Sequence, residues 1–416
     1  MRLLYTFFIH CYSWAVALAA LFDDKAKLWK NGRKNVFQFL SQQCENKQII
    51  WFHCASLGEF EQGKPLIQKL KSQYPTHTFL VTFFSPSGYE VKKNDPDIDI
   101  IAYLPSDTLC HAKRFIQVVK PEVAFFVKYE YWYNYMEQLY RKSIPFYYIS
   151  AIYRPSQYFF KPHGSWFARQ LCKCSYFFVQ NQTSFDLLHS IKINQVMITG
   201  DTRFDRVAAI AAQNQSLDFM ESFKGNSKIL VAGSSWQPDE QLLATVFTHV
   251  KSQYKLVIAP HLIDKEHINR IKTLFYNEKV VCYSERSEKQ LADCNVLIID
   301  SIGILSKIYR YAHIAYIGGA FATGLHNTLE AAVYGIPVFF GPKYQKFSEA
   351  VALVEQKGAF SITSPQEMTD RLMQFERNPA SYQAACDICK SFVNSNLGAV
   401  EKIYTVIRLT RGLIAE

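Results

Sequence analysis

The sequence predicts an α/β protein with two Rossmann-like domains, each built around a parallel sheet. Short apolar runs alternate with helical or polar stretches along most of the 416 residues. Most of these runs are continuously apolar, as expected of strands that are buried on both faces of a parallel sheet. The pattern loosens into small and polar residues near 206–226 and then starts again, which indicates a boundary between two domains.

Length and composition agree with a two-domain α/β protein and limit the classes of partner that we expect. A chain of 416 residues is long for one core, and 49% of it is hydrophobic. The formal charge of +10 favours anionic partners. No nucleic-acid-binding signature is visible, so we expect no nucleic-acid partner. The ten cysteines are scattered, as in a reduced cytoplasmic protein, and neither close pair completes a zinc site.

Residues 1–22 predict a membrane-associated helix. The stretch is strongly apolar, and a group of cations follows it: Lys25, Lys27, Lys30, Arg33 and Lys34. A signal peptide would carry its charge first. The stretch could cross a bilayer with these cations on the cytoplasmic side, or lie in the inner leaflet with the cations on lipid phosphates. A buried helix of the first domain is the third interpretation.

After this helix, the first domain is predicted over residues 23–215. Its predicted strands are Ile49–Cys54, Thr78–Phe84, Ile98–Leu104, Val123–Val127, Phe146–Ala151, Tyr176–Gln180 and Val196–Thr199. The second domain is predicted over residues 216–395. Its predicted strands are Lys228–Ala232, Leu256–Ala259, Val280–Tyr283, Val296–Ile299, Ile314–Ile317 and Val338–Phe340.

The end of the chain, about Ser381–Leu413, is expected to be helical, and residues 396–416 can pack back on the first domain. Two such domains facing a central cleft form the GT-B arrangement. Glycosyltransferases, nucleotide-sugar epimerases and some phosphorylases share that arrangement, so the fold does not decide the function.

Glu59 is the first candidate for chemistry. The segment from Ala55 to Phe60 joins a buried strand to a helix-like stretch over 59–73, at the edge where open α/β sheets bind ligands. The first turn of a helix favours a charged carboxylate, so we expect Glu59 to be ionised and available as a general base. A simple helix cap is the alternative interpretation.

In the second half, several strands end in small or polar residues. Gly233-Ser234-Ser235 and His261 are weak signals, and the stretch from Gly318 to Glu330 is the strongest. Asn327 and Glu330 have the spacing of a capping box, and the same helix start could hold a phosphate while Glu330 accepts hydrogen bonds from ribose hydroxyls. No DxD-like diphosphate–metal site follows a strand, so we expect neither a metal nor a cofactor.

Taken in order, these segments resemble bacterial 3-deoxy-D-manno-octulosonic acid (Kdo) transferases, which are inverting GT-B enzymes. The resemblance runs over nearly the whole chain. Its segments are Lys27–Lys34, Ala55–Glu59, Thr82–Gly88, Tyr103–Asp107, Glu130–Asn134, Gly200–Asp205, Gly233–Ser235 and His326–Glu330. The chain departs from the family at His261, where the family commonly has an arginine.

The resemblance implies a catalytic base at Glu59. It implies contacts to the CMP of the donor at Pro260, His261, Ile302, Gly303, Ile304, Asn327, Thr328, Leu329 and Glu330. It also implies CMP-Kdo as donor and the lipid A precursor (lipid IVA) as acceptor, at the cytoplasmic face of the inner membrane, where anionic lipids are expected partners.

Other functions stay open from the residues alone. The chain could be another GT-B glycosyltransferase, a nucleotide-sugar epimerase, or a non-catalytic membrane-tethered nucleotide-binding protein. Glu130 is either a second functional acid or a member of a structural ion pair.

Overall fold

The computed structural model describes residues 1–322 and 324–410, and the chain divides into two compact units. The first contains Met1–Arg206 together with the C-terminal segment that begins at Leu397, and the second contains Val207–Asn396. The chain passes from the first unit to the second inside one helix, Thr202–Ala212. Leu413, the expected end of the last helix, lies outside the described residues.

The first unit is built on a parallel sheet in which seven strands are described. They are β1 (Ile49–Cys54), β2 (Thr78–Phe83), β3 (Ile100–Tyr103), β4 (Pro121–Val127), β5 (Phe146–Ala151), β6 (Tyr176–Val179) and β7 (Val196–Ile198). Their order is β3-β2-β1-β4-β5-β6-β7, which extends the Rossmann order by one strand. The predicted parallel α/β architecture is therefore confirmed.

Helices connect these strands and cover both faces of the sheet. They are α1 (Arg2–Ala19), α2 (Asp24–Asn31), α3 (Val36–Cys44), α4 (Leu57–Gln73), α5 (Pro86–Lys92), α6 (Leu109–Val119), α7 (Tyr133–Arg141), α8 (Ser165–Leu171) and α9 (Gln182–Ser190). Alternate residues of β1 enter two separate clusters, Trp51 in one and Ile50 and Phe52 in the other. Because neither face of β1 meets water, its sequence is a continuous apolar run rather than an alternating one.

Helix α1 packs one face on the first unit. The Tyr5 hydroxyl donates to Asp107 at 2.7 Å, and Arg2 Nε donates to Asn134 Oδ1 at 3.0 Å. Large apolar side chains remain exposed on this helix and the turn after it: Met1, Leu3, Leu4, Phe7, Phe8, Tyr12, Trp14, Leu18, Leu21 and Phe22. Among the residues that the structure describes, no helix has both the length and the apolar character needed to span a bilayer.

The chain leaves the first unit within helix α10 (Thr202–Ala212). It returns to the first unit just before helix α20 (Ala399–Thr410). The Asp205 carboxylate accepts hydrogen bonds from the backbone N–H groups of Gly398 at 2.7 Å and Val400 at 3.0 Å. Val400 also joins the core cluster of the first unit. The Gly200–Asp205 segment therefore attaches the C-terminal helix to the first unit.

The second unit repeats the architecture with seven described strands. They are β8 (Lys228–Ser235), β9 (Tyr254–Pro260), β10 (Val280–Cys282), β11 (Val296–Ile298), β12 (Ile314–Ile317), β13 (Val338–Phe340) and β14 (Ala359–Ser361), in the order β10-β11-β9-β8-β12-β13-β14. All of the pairings described between them are parallel. Strand β14 is the one that the sequence pattern missed.

The helices of the second unit also bury an apolar face against the sheet. They are α11 (Asp218–Lys224), α12 (Gln237–Val250), α13 (Lys265–Leu274), α14 (Glu288–Asp293), α15 (Leu305–Ile308), α16 (Leu329–Ala332), α17 (Ser348–Glu355), α18 (Pro365–Arg377) and α19 (Pro379–Ser395). On α12, Leu243 and Val246 lie in the core beside Leu230 of β8.

Candidate active site

Glu59 lies in the first turn of α4, directly after β1. Strand β1 has β2 on one side and β4 on the other, so the chain order reverses between β1 and β4. Such a switch point leaves an opening at the carboxyl ends of the strands. Glu130 follows β4 by three residues, so the two central strands each deliver a carboxylate to the same edge of the sheet.

Burial is the main influence on the pKa of Glu59. Its exposed fraction is 7%, and the backbone N–H of Ala55 donates to its Oε2 at 2.5 Å. Burial, and then the charge of Glu130, raise the pKa of Glu59 to about 8, although the backbone N–H groups of Ala55 and Ser56 and the charge of Lys128 oppose the rise. The expectation that the helix start keeps Glu59 ionised is therefore wrong at neutral pH, because desolvation outweighs the helix terminus.

Glu130 accepts a hydrogen bond from one side chain and lies beside a buried histidine. Trp132 Nε1 donates to Glu130 Oε2 at 2.8 Å, and His53 Nε2 lies 3.3 Å from the same oxygen. His53 is fully buried in β1, and its Nδ1 lies 2.9 Å from Thr82 Oγ1 on β2. Sequence reasoning named Glu130 but missed His53, whose only signal was a histidine inside an apolar strand.

Basic side chains surround the Glu59 edge. Burial raises the pKa of the Tyr129 hydroxyl, while the charges of Arg154 and Arg203 pull it down and that of Glu59 raises it further. Lys128 stands one residue earlier with a positive φ of 62°. This distribution of charge suits a substrate that carries anionic groups.

In the second unit, three aromatic rings stack where the central strands end. Pro260 is the last residue of β9, and the ring of His261 stacks on that of Trp236, with 4.6 Å between centroids, and on that of His326, with 4.7 Å between centroids. Trp236 Nε1 donates to His326 Nε2 at 3.2 Å. Burial, and then the charge of His261, lower the pKa of His326 to about 4, so its ring is neutral. Trp236 was not among the predicted site residues.

The glycine loop after β12 is tied to the start of α12. Asp239 accepts hydrogen bonds from Gly319 N at 2.9 Å, the Tyr316 hydroxyl at 2.7 Å and Trp236 N at 2.9 Å. Gly319 has a φ of 94°, and a Cβ there would lie 2.3 Å from the carbonyl oxygen of Gly324. Both facts require glycine at this position. The Asp239 carboxylate thus caps the start of α12 and fixes the glycine loop beside it.

Asn327, Thr328, Leu329 and Glu330 form a compact turn at the start of α16. Asn327 Oδ1 accepts from Leu329 N at 3.2 Å, and Asn327 Nδ2 donates to Glu330 Oε1 at 3.0 Å. Thr328, which is fully buried, is the residue that precedes the helix. The expected capping box is therefore replaced by a bond between the two side chains, on a helix of only four residues.

Ile302, Gly303 and Ile304 lie in the loop between β11 and α15. Ile302 is 82% exposed, and Gly303 has a φ of 95°. Beyond α15, burial and then the charge of Glu330 raise the pKa of the Tyr309 hydroxyl. Glu330 also borders a shallow recess, whose other lining residues are Val207, Ile210, Ser306, Val333 and Tyr334.

The predicted site residues thus fall into two groups. Glu59 lies in the first unit, and the nine predicted donor contacts, Pro260 to Glu330, lie in the second. Within the second unit, His261 belongs to the aromatic stack, and Asn327 and Glu330 bond to each other. Within residues 1–322 and 324–410, no group of three or more His, Cys, Asp or Glu side chains is placed to hold a metal ion.

Known structures share this fold at low sequence identity. A UDP-GlcNAc 2-epimerase from Neisseria meningitidis bound to UDP-GlcNAc has a TM-score of 0.63 and 16% identity, covering 86% of this chain and 99% of that one. A glycosyltransferase from Rickettsia africae has a TM-score of 0.57 and 12% identity, covering 88% of this chain and 99% of that one. Both likenesses concern the fold alone.

Sequence relatives are more specific. A family model described as 3-deoxy-D-manno-octulosonic-acid transferase (kdotransferase) matches residues 31–206. The 3-deoxy-D-manno-octulosonic acid transferase of Aquifex aeolicus is 26% identical over 79% of this chain and 86% of its own length. The enzyme of that name from Haemophilus influenzae is 25% identical over 88% of each chain. The family model matches the first unit, relatives of this name extend through both units, and the chain is therefore similar to 3-deoxy-D-manno-octulosonic acid transferases over most of its length.

Proposed function

We propose that the chain is a glycosyltransferase of lipopolysaccharide biosynthesis that transfers Kdo from CMP-Kdo to the lipid A precursor, lipid IVA. The match to the 3-deoxy-D-manno-octulosonic acid transferase model and the relatives of that name support Kdo as the transferred sugar. The single observation that carries the mechanism is Glu59, a buried carboxyl at the switch point of the first sheet whose pKa is raised to about 8. A group that titrates so close to the working pH is suited to proton transfer.

The proposed reaction is a direct, inverting displacement without a metal ion. Glu59 takes the proton of the acceptor's hydroxyl while that oxygen forms a bond to the anomeric carbon of Kdo. The bond from this carbon to the phosphate oxygen breaks, and CMP leaves with the electron pair. Glu59 then returns its proton to water, so the cycle releases one proton.

The donor is assigned to the second unit. The proposed contacts are Pro260 and His261 at the end of β9, Ile302, Gly303 and Ile304 after β11, and Asn327, Thr328, Leu329 and Glu330 at α16. The Glu330 carboxylate would accept hydrogen bonds from ribose hydroxyls, a role compatible with the bond that it already accepts from Asn327. His261, whose ring stacks on Trp236 and His326, offers a ring nitrogen to the phosphate or the sugar carboxylate.

The acceptor is assigned to a membrane surface. The exposed apolar residues of α1 are followed by Lys25, Lys27, Lys30 and Lys34, a combination that suits an interface of anionic lipids. We therefore propose the cytoplasmic face of the inner membrane as the location. Vesicle flotation tests this step: binding that does not increase with the anionic lipid content would contradict it.

The decisive assay is incubation of the purified full chain with a CMP-Kdo generating system and tetraacylated lipid A precursor, followed by mass spectrometry of the lipid. The expected product carries added Kdo. Glu59→Gln is expected to lower the rate by about two to four orders of magnitude. Near-normal turnover by a folded Glu59→Gln protein would exclude Glu59 as the base.

Glu61→Gln is the matched control on the same helix. Glu61 pairs with Lys92 at 3.0 Å and Arg206 at 3.0 Å and takes no part in the proposed chemistry, so transfer should persist. Conversion of UDP-sugars without transfer from CMP-Kdo would instead support an epimerase. Binding of CMP with no turnover of any substrate would support a non-catalytic nucleotide-binding protein.

A further inference from the structure

We propose that two residues on the inner face of α1, Tyr5 and Thr6, are positioning residues for the proposed reaction. They fix the start of α7, and with it the segment 128–132, which leaves β4 at the edge of the sheet where Glu59 lies. This inference rests on the proposed role of Glu59 as general base. It gives α1 a task that membrane attachment does not explain.

Helix α7 is capped from a distant loop. Its N-cap residue, Trp132, makes no side-chain hydrogen bond to the helix. Instead the fully buried Asp107 carboxylate, in the loop after β3, accepts from the backbone N–H of Asn134 at 3.1 Å and from that of Tyr135 at 3.0 Å. These are two of the N–H groups that the first turn leaves without a partner, and a negative charge suits this end of a helix. The position of α7 therefore depends on Asp107.

Helix α1 holds this cap in place. The Tyr5 hydroxyl donates at 2.7 Å to Asp107 Oδ2, the oxygen that also accepts from Asn134 N. The side-chain amide of Asn134 donates to Thr6 Oγ1 at 3.2 Å, and its oxygen accepts from Arg2 Nε at 3.0 Å. A helix that served only to hold the chain in lipid would need none of these bonds.

The Tyr5 hydroxyl also affects the charge of the cap. Burial raises the pKa of Asp107 to about 7, and the Tyr5 hydroxyl is the strongest of the influences that oppose this rise. The others are the N–H groups of Asn134 and Tyr135 and the charge of Arg2. Without the hydroxyl the pKa of Asp107 would rise further, so this carboxyl would be mostly neutral at pH 7 and a weaker cap for α7.

An aromatic contact joins α1 to the same region independently. The ring of Phe84, which directly follows β2, stacks on Tyr12 of α1 with 6.1 Å between centroids. The same ring packs against Trp132 with 4.8 Å between centroids. Two separate sets of contacts from α1 thus end within three consecutive residues, Trp132 to Asn134.

The segment 128–132 carries two charged groups that act on Glu59. The charge of Glu130 raises the pKa of Glu59, and the charge of Lys128 lowers it. The Trp132 indole N–H donates to Glu130 Oε2 at 2.8 Å, so the residue directly before α7 holds this carboxyl. A shift at the start of α7 would therefore move a charge beside the proposed base and change how that base binds its proton.

The test variant is Tyr5→Phe/Thr6→Val, which removes both hydroxyls. It keeps the ring that packs edge-on against Tyr133, with 4.9 Å between centroids, and the volume of the buried Thr6 side chain. Tyr254→Phe is the matched control in the second unit, because the buried Tyr254 hydroxyl also donates to a carboxylate, that of Glu376, at 2.6 Å. A general loss of stability would act on both variants.

Hydrogen–deuterium exchange of the purified full chain, read by mass spectrometry, tests the contact without turnover. The amides of Asn134 and Tyr135 should exchange about tenfold faster in the α1 double variant, because their acceptor is no longer held. Their exchange should be unchanged in Tyr254→Phe. An unchanged rate in the α1 double variant would overturn the proposal.

Kinetics of Kdo transfer in detergent micelles, where attachment to a bilayer plays no part, test the consequence. The kcat of the α1 double variant should fall about 10- to 100-fold, because the groups beside Glu59 are misplaced. Its KM for CMP-Kdo should be unchanged, since the proposed donor contacts lie in the second unit, and Tyr254→Phe should keep the kcat of the unaltered chain.

An unaltered kcat in the α1 double variant, or an equal loss in Tyr254→Phe, would overturn the positioning role. Absence of Kdo transfer by the unaltered chain would instead count against the proposed function. The exchange rates would then still show whether α1 holds the start of α7, so the two failures are distinguishable.

Discussion

Neutralising Glu59 should stabilise the protein at alkaline pH while it lowers the rate of transfer by about two to four orders of magnitude. The pKa of Glu59 rises from 4.5 to about 8 on folding, chiefly through burial. For a group whose folded pKa is raised, the contribution to stability is fully present below about pH 4.5 and is lost as the pH rises through about 8. Glu59→Gln removes this loss because glutamine does not ionise.

The size of the effect follows from the width of that window. Within it, each pH unit changes the free energy of unfolding by about 1.4 kcal/mol. Between pH 6 and pH 8 the unaltered chain should therefore lose about 2–3 kcal/mol relative to Glu59→Gln. Equilibrium urea unfolding of the full chain at the two pH values, followed by tryptophan fluorescence, measures this difference.

Glu61→Gln provides the contrast on the same helix. Burial raises the pKa of Glu61, but the charges of Lys92 and Arg206 outweigh it and hold that pKa below its usual range. Glu61 thus contributes stability at neutral and alkaline pH, and its neutralisation should destabilise the chain. Equal effects of Glu59→Gln at pH 6 and pH 8 would refute the reasoning, since Glu59 would then have an ordinary pKa.

Two further predictions concern packing. Asp205→Ala should lower the free energy of unfolding by about 1–2 kcal/mol, because the N–H groups of Gly398 and Val400 lose their acceptor. It should also speed proteolysis of the C-terminal helix, and an unchanged cleavage rate would contradict this. Gly233→Ala should lower the free energy of unfolding by about 1–3 kcal/mol, because its Cβ would lie 1.8 Å from the Tyr309 hydroxyl. Adding Tyr309→Phe to this variant should restore part of the lost melting temperature.

The fold could be predicted because its signals are local. Strand β1 is a six-residue run buried at every position, and such runs stand out from the polar helices between them. Strand β14 escaped prediction because it has only three residues, two of them partly exposed. The helix expected at Asn327 has only four residues, and Asn327 accepts from the backbone N–H of Leu329 while it donates to Glu330.

The chemistry of the site depends on contacts that no sequence window contains. His53 and Thr82 are 29 residues apart, and they meet because β1 and β2 are adjacent and paired in register. Trp236 and His326 are 90 residues apart, and the order of the second sheet brings them together. The charge of Glu59 was mispredicted for the same reason, since the helix start is visible in the sequence whereas desolvation depends on the whole fold.

A mostly protonated Glu59 is compatible with its proposed role as a base. With a pKa of about 8, about one molecule in ten is ionised at pH 7, which costs about one order of magnitude in rate. The same rise from 4.5 to about 8 makes the ionised form a much stronger base, and the rate of proton transfer follows base strength. If only a third of that 3.5-unit rise in pKa is expressed as faster proton transfer, the rate gains slightly more than one order of magnitude. That gain exceeds the loss of about one order of magnitude from incomplete ionisation of Glu59. A carboxylate left ionised by the helix start alone would be fully available but a weaker base, so the burial that makes Glu59 costly for stability at alkaline pH is what suits it to the proposed reaction.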